Sequence, residues 1–358
     1  MSALCYAEIS LTNLQHNFRV VKRYAGDRKV LAMVKANAYG HGLLAVAKEL
    51  SSADGFGVAR LDEALELRLS GVKKPIVVMS GFVSVVQLDE ICSNQLDFVL
   101  HDKFQLELLS NMPESYKGNV WIKIDTGMAR LGISPADVPY VISKLQEQNI
   151  SEDRMILTSH LACANDNGNP SITDQIDLFT KTVCSYSIAT SICNSGALVA
   201  GLALDSTWVR PGIMLYGISP YDDYSGADFD LLPVMTLKSV VIATKKIAAG
   251  SGVGYGMTWS SKKDTNIAVI GIGYGDGYPQ NKNLNLQVLL GGAFYPVVGE
   301  VSMNLIAVDL GAKHQIIVGD MATLWGAGLP LDVYSCFEGS YYTRISQVST
   351  GVQRRYVS

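Results

Sequence analysis

Short apolar runs, many of them β-branched, alternate with amphipathic stretches through the first two-thirds of the chain. The runs fall at 30–35 (VLAMVK), 55–59 (GFGVA), 75–79 (PIVVM), 97–100 (DFVL), 119–125 (NVWIKID), 155–160 (MILTSH), 189–193 (ATSIC) and 207–209 (TWV). They read as strands. Helix-like segments lie between them, among them 61–70, 136–148 and 171–187. Asp62, Glu63 and Glu66 occupy the first turns of 61–70, where carboxylates suit the helix dipole. Eight strands alternating with helices over about 220 residues predict a TIM (β/α)8 barrel. An open doubly wound sheet is the alternative that the count leaves standing.

The texture changes at 221–230 (YDDYSGADFD), a polar, turn-rich linker. Beyond it the runs 234–247, 266–272, 286–290, 295–301 and 305–310 alternate in the strand period, with Gly-rich turns between them. The expected organisation is an α/β barrel over 11–225 and a mostly-β domain over 226–358. The strand-like start, residues 2–10, is assigned to the β domain.

Composition narrows the function. Of 358 residues, 48% are hydrophobic and 17% charged, so a large core is available and the composition argues against disorder. The net charge of −4 is spread without basic tracts or acidic tails, which argues against nucleic acid or a membrane surface as partner. Six scattered cysteines without a C-x-x-C pair fit reduced thiols in a cytoplasm better than disulfides or zinc. No secretory leader and no membrane span are read.

Polar residues intrude where the predicted strands end: Lys35, Lys123 and Asp125, His160, then Asn194 with Ser195, and Arg210. Arg130 follows the fifth strand. In a barrel these ends open on one face, where sites are built. The segments NSG (194–196) and RPGI (210–213) follow strands seven and eight, the usual phosphate position of this fold. A strand-end lysine beside a phosphate cradle suggests Schiff-base chemistry with pyridoxal phosphate, which carries both the aldehyde and the phosphate.

At this point the sequence resembles a known family. VKANAYGHG looks like the cofactor-lysine motif of alanine racemases. IKIDTGMARLG, SHLACAND, NSG, WVRPGIMLYG, GYGDGYP and VGEVSMNLIAVDL resemble that family's further blocks, in its order, along nearly the whole chain. The resemblance implies a pyridoxal-phosphate-dependent racemase that interconverts L- and D-alanine, supplies D-alanine for peptidoglycan, and works as a homodimer with shared active sites. Lys35 is then the Schiff-base lysine and one of two bases; Tyr274, from the other subunit, is the second. Two bases on opposite faces of Cα are the direct route to racemisation. Tyr39, Ser195, Gly212 and Ile213, with Asn194 nearby, match phosphate-binding positions. His160 and Arg210 belong to the cofactor network, and Arg210 matches the residue that faces the pyridine nitrogen. Arg130 matches a contact to the cofactor and to the substrate carboxylate, which Met303 meets through its backbone. Lys123 matches a lysine that many relatives carbamylate. No metal is expected. Asn304 stands where the family usually has Asp, and Glu300 where Arg is common. The match around Ser349–Gly351 is looser and transfers no residue.

Plainer readings stand beside these. Unaided, Lys35 is a snorkelling surface lysine, Tyr274 turn packing, His160 a core histidine and Arg210 half of an ion pair. GSGVGYG and GIGYGDG lack the spacing and the following helix of a dinucleotide loop. Competing functions are a basic-amino-acid decarboxylase, a pyridoxal-phosphate carrier protein and a cofactor-free aldolase. The first lacks its glycine run here, the second has no β domain, and bound cofactor would separate the third.

Overall fold

The computed structural model describes residues 4–166, 168–202, 205–280, 286–333 and 341–358. The chain opens with strand β1 (Cys5–Ser10) and helix α1 (Leu11–Ala25). Ser10 caps the helix through its Oγ, which accepts from Asn13 N–H at 3.2 Å, and Gly26 at φ 59° ends it. Leu14, Phe18, Val21 and Ala25 recur at helical spacing and are buried.

Eight parallel strands follow: β2 (Lys29–Met33), β3 (Gly55–Val58), β4 (Ile76–Val78), β5 (Asp97–Leu100), β6 (Val120–Lys123), β7 (Met155–Thr158), β8 (Ala189–Ser191) and β9 (Trp208–Val209). They lie in the order β8-β7-β6-β5-β4-β3-β2-β9. Helices α2 (Leu43–Glu49), α3 (Leu61–Leu69), α4 (Val85–Ser93), α5 (Phe104–Leu108), α6 (Val138–Glu147), α7 (Pro170–Val183) and α8 (Ser195–Val199) connect them. The seam between β8 and β9 is bridged by Ser191 Oγ donating to Trp208 O (3.0 Å) and Arg210 N–H donating to Cys193 O (2.9 Å). Thr190 and Thr207 exchange N–H and hydroxyl bonds across the same gap at 3.2 and 3.4 Å. The sheet therefore curls into a barrel, and the open doubly wound alternative is set aside.

The second half is antiparallel: β10 (Met235–Ile247), β11 (Gly252–Val253), β12 (Trp259–Ser260), β13 (Thr265–Ile270), β14 (Gln287–Leu290), β15 (Ala293–Val298), β16 (Ile306–Gly311) and β17 (Met321–Trp325). The order β13-β16-β15-β14-β17-β10 closes because the far end of β10 also pairs with β13. The near end of β10 pairs with β1, and β1 pairs in parallel with β18 (Gln353–Val357). A short helix, α9 (Tyr341–Ser346), precedes β18.

Several strands stop earlier than the sequence pattern implies. The run through Lys35 ends at Met33, that through Asp125 ends at Lys123, and that through His160 ends at Thr158. Lys35 and His160 thus sit in loops at the mouth of the barrel, while Asp125 turns back on its own loop, its Oδ1 accepting from Gly127, Met128 and Ala129 N–H. No described helix is long and apolar enough to cross a membrane.

Candidate active site

The loops at the C-terminal ends of the barrel strands surround a cavity of about 810 Å³. Lys35, Tyr39, Lys123, Arg130, His160, Asn194, Ser195, Arg210, Gly212 and Ile213 all line it. Ten of the twelve residues to which the resemblance gives a role are thus brought together. Tyr274 and Met303 are not among its lining.

The backbone after Lys35 is unusual. Ala36, Asn37, Ala38 and Tyr39 all have φ between 52° and 54°, the left-handed region, although none is glycine. Each such residue costs about 1–2 kcal/mol relative to the right-handed form. Tertiary contacts offset that cost. Asn37 N–H donates to Glu63 Oε1 at 3.1 Å, and Leu43 N–H donates to Asn37 Oδ1 at 2.8 Å. The Tyr39 ring stacks on Tyr216 at 4.7 Å, and Tyr216 donates its hydroxyl to Met33 O at 2.9 Å. From the far end of the chain, Arg354 Nε donates to Gly40 O at 3.0 Å and Tyr356 Oη to His41 O at 3.2 Å. The turn places Lys35 and Tyr39 on the same cavity wall.

Four cations meet here, and among the described residues none of Lys35, Lys123, Arg130 and Arg210 forms an ion pair. Desolvation lowers the pKa of Lys35, Arg130 and Arg210 lower it further, and Glu63 opposes them. Lys123 is pushed well below its ordinary value by desolvation, then by Arg210 and Arg130. Both amines are biased towards the neutral, nucleophilic form. Arg210 is 4% exposed, and burial lowers it to about 10. It donates to Thr158 Oγ1 (3.1 Å), Ser191 Oγ, and Ser159 O (2.6 Å), and approaches His160 Nδ1 at 3.3 Å. A guanidinium only donates, so His160 Nδ1 accepts and the imidazole is neutral with its proton on Nε2.

A second wall supplies donors. Ser195 Oγ accepts from Gly212 N–H at 2.9 Å, and Asn194 caps α8 by accepting from Ala197 N–H at 3.1 Å. Among the described residues the N–H groups of Ser195, Gly196 and Ile213 have no protein acceptor. Gly212 is required by packing: a Cβ there would lie 2.5 Å from Tyr39 Oη. Hydroxyls, free N–H groups and unpaired cations are the donor set that an anionic, phosphate-bearing group needs.

Two histidines, His41 buried and His160 half-buried, set an acid limit. His160 is held well below its ordinary value by burial, then by Arg210, Lys123, Arg130 and Lys35. His41 is held near about 4, chiefly by burial. Both take up a proton in the unfolded chain near pH 6.5 but not in the fold. The unfolded state therefore binds more protons below that pH. Their contribution is complete above about pH 6.5 and is lost as pH falls towards the depressed folded values, at up to about 1.4 kcal/mol per pH unit per group. His160→Gln keeps an acceptor for Arg210 but cannot titrate. Its urea midpoint is expected to fall less than that of the parent chain between about pH 7 and pH 5; an equal fall would remove His160 from this account.

Two family models match the chain: the alanine racemase N-terminal domain over residues 9–220 and the alanine racemase C-terminal domain over 234–356. The chain belongs to the alanine racemase family. An alanine racemase of Aeromonas hydrophila is 42% identical over 353 residues, covering 98% of this chain and 99% of that protein. One from Aliivibrio salmonicida is 40% identical over 353 residues, 98% of each. The biosynthetic alanine racemase of Pseudomonas aeruginosa superposes with a TM-score of 0.95 at 36% identity over the full length of both chains. That of Acinetobacter baumannii gives 0.94 at 35%, covering 99% of this chain and all of the other.

Within this family frame, Tyr274 and Met303 stand out by their exposure, 39% and 58%. Their loops are bonded to one another: Tyr274 N–H donates to Ser302 O (3.1 Å), and Gly275 N–H to Met303 O (2.8 Å). Asn304 Nδ2 donates to Asp276 Oδ2 at 3.1 Å, and the same oxygen accepts from Gly273 N–H at 3.0 Å. The amide at 304 thus joins the two loops into one outward-facing unit.

The sequence reading missed Asp222, Tyr341 and Tyr342, which line the cavity, and the buried Glu63. Tyr342, on α9, has its ring 6.0 Å from that of Tyr39. It precedes the loosely matched 349–351 segment, so no motif marked it. Glu63 gave the signal of an ordinary helix-start carboxylate.

Proposed function

We propose that this chain interconverts L- and D-alanine with pyridoxal phosphate, as a homodimer with shared sites. The observation that carries the reading is the meeting, in one cavity, of a desolvated Lys35 amine, unpaired guanidinium groups and a wall of free N–H donors. When bound, pyridoxal phosphate supplies the electron sink that makes the amino acid's Cα–H acidic. Tyr39, Asn194, Ser195, Gly212 and Ile213 would hold its phosphate, and Lys35 would attach its aldehyde carbon.

Arg210 is assigned to the ring nitrogen. A guanidinium keeps its proton, so it would donate a hydrogen bond there without protonating the ring. Its terminal N–H groups are held by Thr158, Ser191, Ser159 and His160, which fixes the plane of the group. Arg130 would orient the substrate carboxylate by its planar fork, with the backbone N–H of the partner subunit's Met303. Lys35 moves the proton on one face of Cα, and the partner subunit's Tyr274 moves it on the other. The exposure of Tyr274, and its place outside its own chain's cavity, support this division. The D-alanine formed would serve peptidoglycan synthesis in the cytoplasm.

The test is direct. Purified protein with pyridoxal phosphate is given L-alanine, and D-alanine is followed, with L-serine and L-lysine in parallel. Rapid formation of D-alanine is expected. Serine differs by one hydroxyl, and a small pocket rejects it by only ~10²-fold. Absence of any racemisation by cofactor-loaded protein would sink the reading.

A further inference from the structure

We propose that Glu63 is a positioning residue for Lys35: its carboxylate anchors the left-handed turn that follows the lysine and so brings a negative charge within two residues of it. The inference rests on the reading of Lys35 as the reactive amine.

Glu63 lies in the first turn of α3 and is 7% exposed. Its Oε2 accepts from the N–H groups of Ala59 (3.0 Å) and Arg60 (3.3 Å), the ordinary duty of a carboxylate at a helix start. Its Oε1 does something different. It leaves its own helix and accepts Asn37 N–H, in the preceding βα loop and two residues beyond Lys35. Helix capping needs only Oε2. The bond from Oε1 instead fixes a peptide in the middle of four consecutive left-handed residues. The Asn37 side chain then accepts Leu43 N–H, so the turn is tied at its peptide to α3 and at its side chain to α2.

Arg130 from the loop after β6 and Arg210 after β9 both disfavour the protonated Lys35, and Lys123 and His160 share the cavity. Glu63 is the group acting on Lys35 in the opposite sense. One side chain thus holds the lysine's backbone and tempers its charge.

The experiment uses the full chain, stripped of cofactor, with Glu63→Ala and Glu63→Gln. Amide exchange at Asn37 is read by NMR, and the pH profile of Lys35 acylation by acetic anhydride is read by peptide mass spectrometry. In Glu63→Ala, Asn37 exchange is expected to quicken by about tenfold or more, since a hydrogen bond to a charged acceptor is lost. In both variants the acylation profile shifts to lower pH, with Lys35 about threefold or more faster at neutral pH. Glu63→Gln keeps an acceptor oxygen, so it retains more protection at Asn37 while showing the same shift in profile. If Glu63→Ala loses thermal stability but leaves Asn37 exchange and the Lys35 profile unchanged, Glu63 is a helix cap and the proposal is overturned. If Glu63→Ala does not fold, an unshifted profile in Glu63→Gln overturns it equally. Failure of the underlying reading is separate: the parent chain would then give no borohydride-fixed pyridoxal phosphate adduct on the Lys35 peptide, while both Glu63 readouts remain measurable.

Discussion

Lys35→Ala is expected to abolish racemisation, with D-alanine formation reduced by about 10⁴-fold or more. The residue would lose two roles at once, the attachment of the cofactor and the proton transfer on one face of Cα. Proton transfer by a placed side chain alone is worth ~10²–10⁴, and groups that act as a unit do not add simply. Stability should move the other way or not at all. Lys35 makes no ion pair among the described residues, and desolvation already disfavours its charge. Removing the cation relieves repulsion by Arg130 and Arg210, which together with desolvation outweighs the opposing Glu63 charge. The melting temperature of the cofactor-free variant should therefore equal or exceed that of the parent. Residual activity above about a tenth of the parent's would contradict the role given to Lys35.

Tyr274→Phe removes one oxygen from a side chain that is 39% exposed, so stability should change by less than ~0.5 kcal/mol. Turnover should fall by ~10²–10⁴. The decisive form of the test mixes this variant with Lys35→Ala. If each site takes its lysine from one chain and its tyrosine from the other, a mixed dimer contains one intact site. With random exchange of subunits, activity should return to about a quarter of the parent's. If Tyr274 served its own chain's cavity, every site in the mixture would still lack one base and no activity would return. Dilution to dissociate the dimer before mixing gives the matching control.

The barrel was legible because its strands are buried on both faces and so read as continuous apolar runs, such as DFVL and VWIK. Its closure was not. β9 is two residues long, and threonine hydroxyls bridge the seam beside it, which leaves no periodic signal. β17 and β18 also went unread, and β18 lies on the margin of its sheet with a largely polar sequence. The site residues at strand ends were legible as polar intrusions, and the family motifs then gave them roles. The left-handed turn was hidden. Its residues, Ala36, Asn37, Ala38 and Tyr39, include no glycine to advertise positive φ, and the bonds that impose it come from Glu63 and Arg354, distant in sequence. Propensity speaks for a residue's neighbours along the chain and is silent about partners that only folding brings near.

The tie between the turn and the last strand bears on synthesis. Arg354 and Tyr356 reach back to Gly40 and His41, and β1 lies between β10 and β18. A ribosome that has released the barrel strands has therefore delivered a lysine whose loop still lacks its far anchors, and a first strand with neither neighbour. Bringing ends together across some 315 residues carries a loop-closure penalty that no local element can lessen. The nascent barrel should thus emerge with a loose mouth, and capture of the cofactor becomes an event of the finished polypeptide rather than of the growing one.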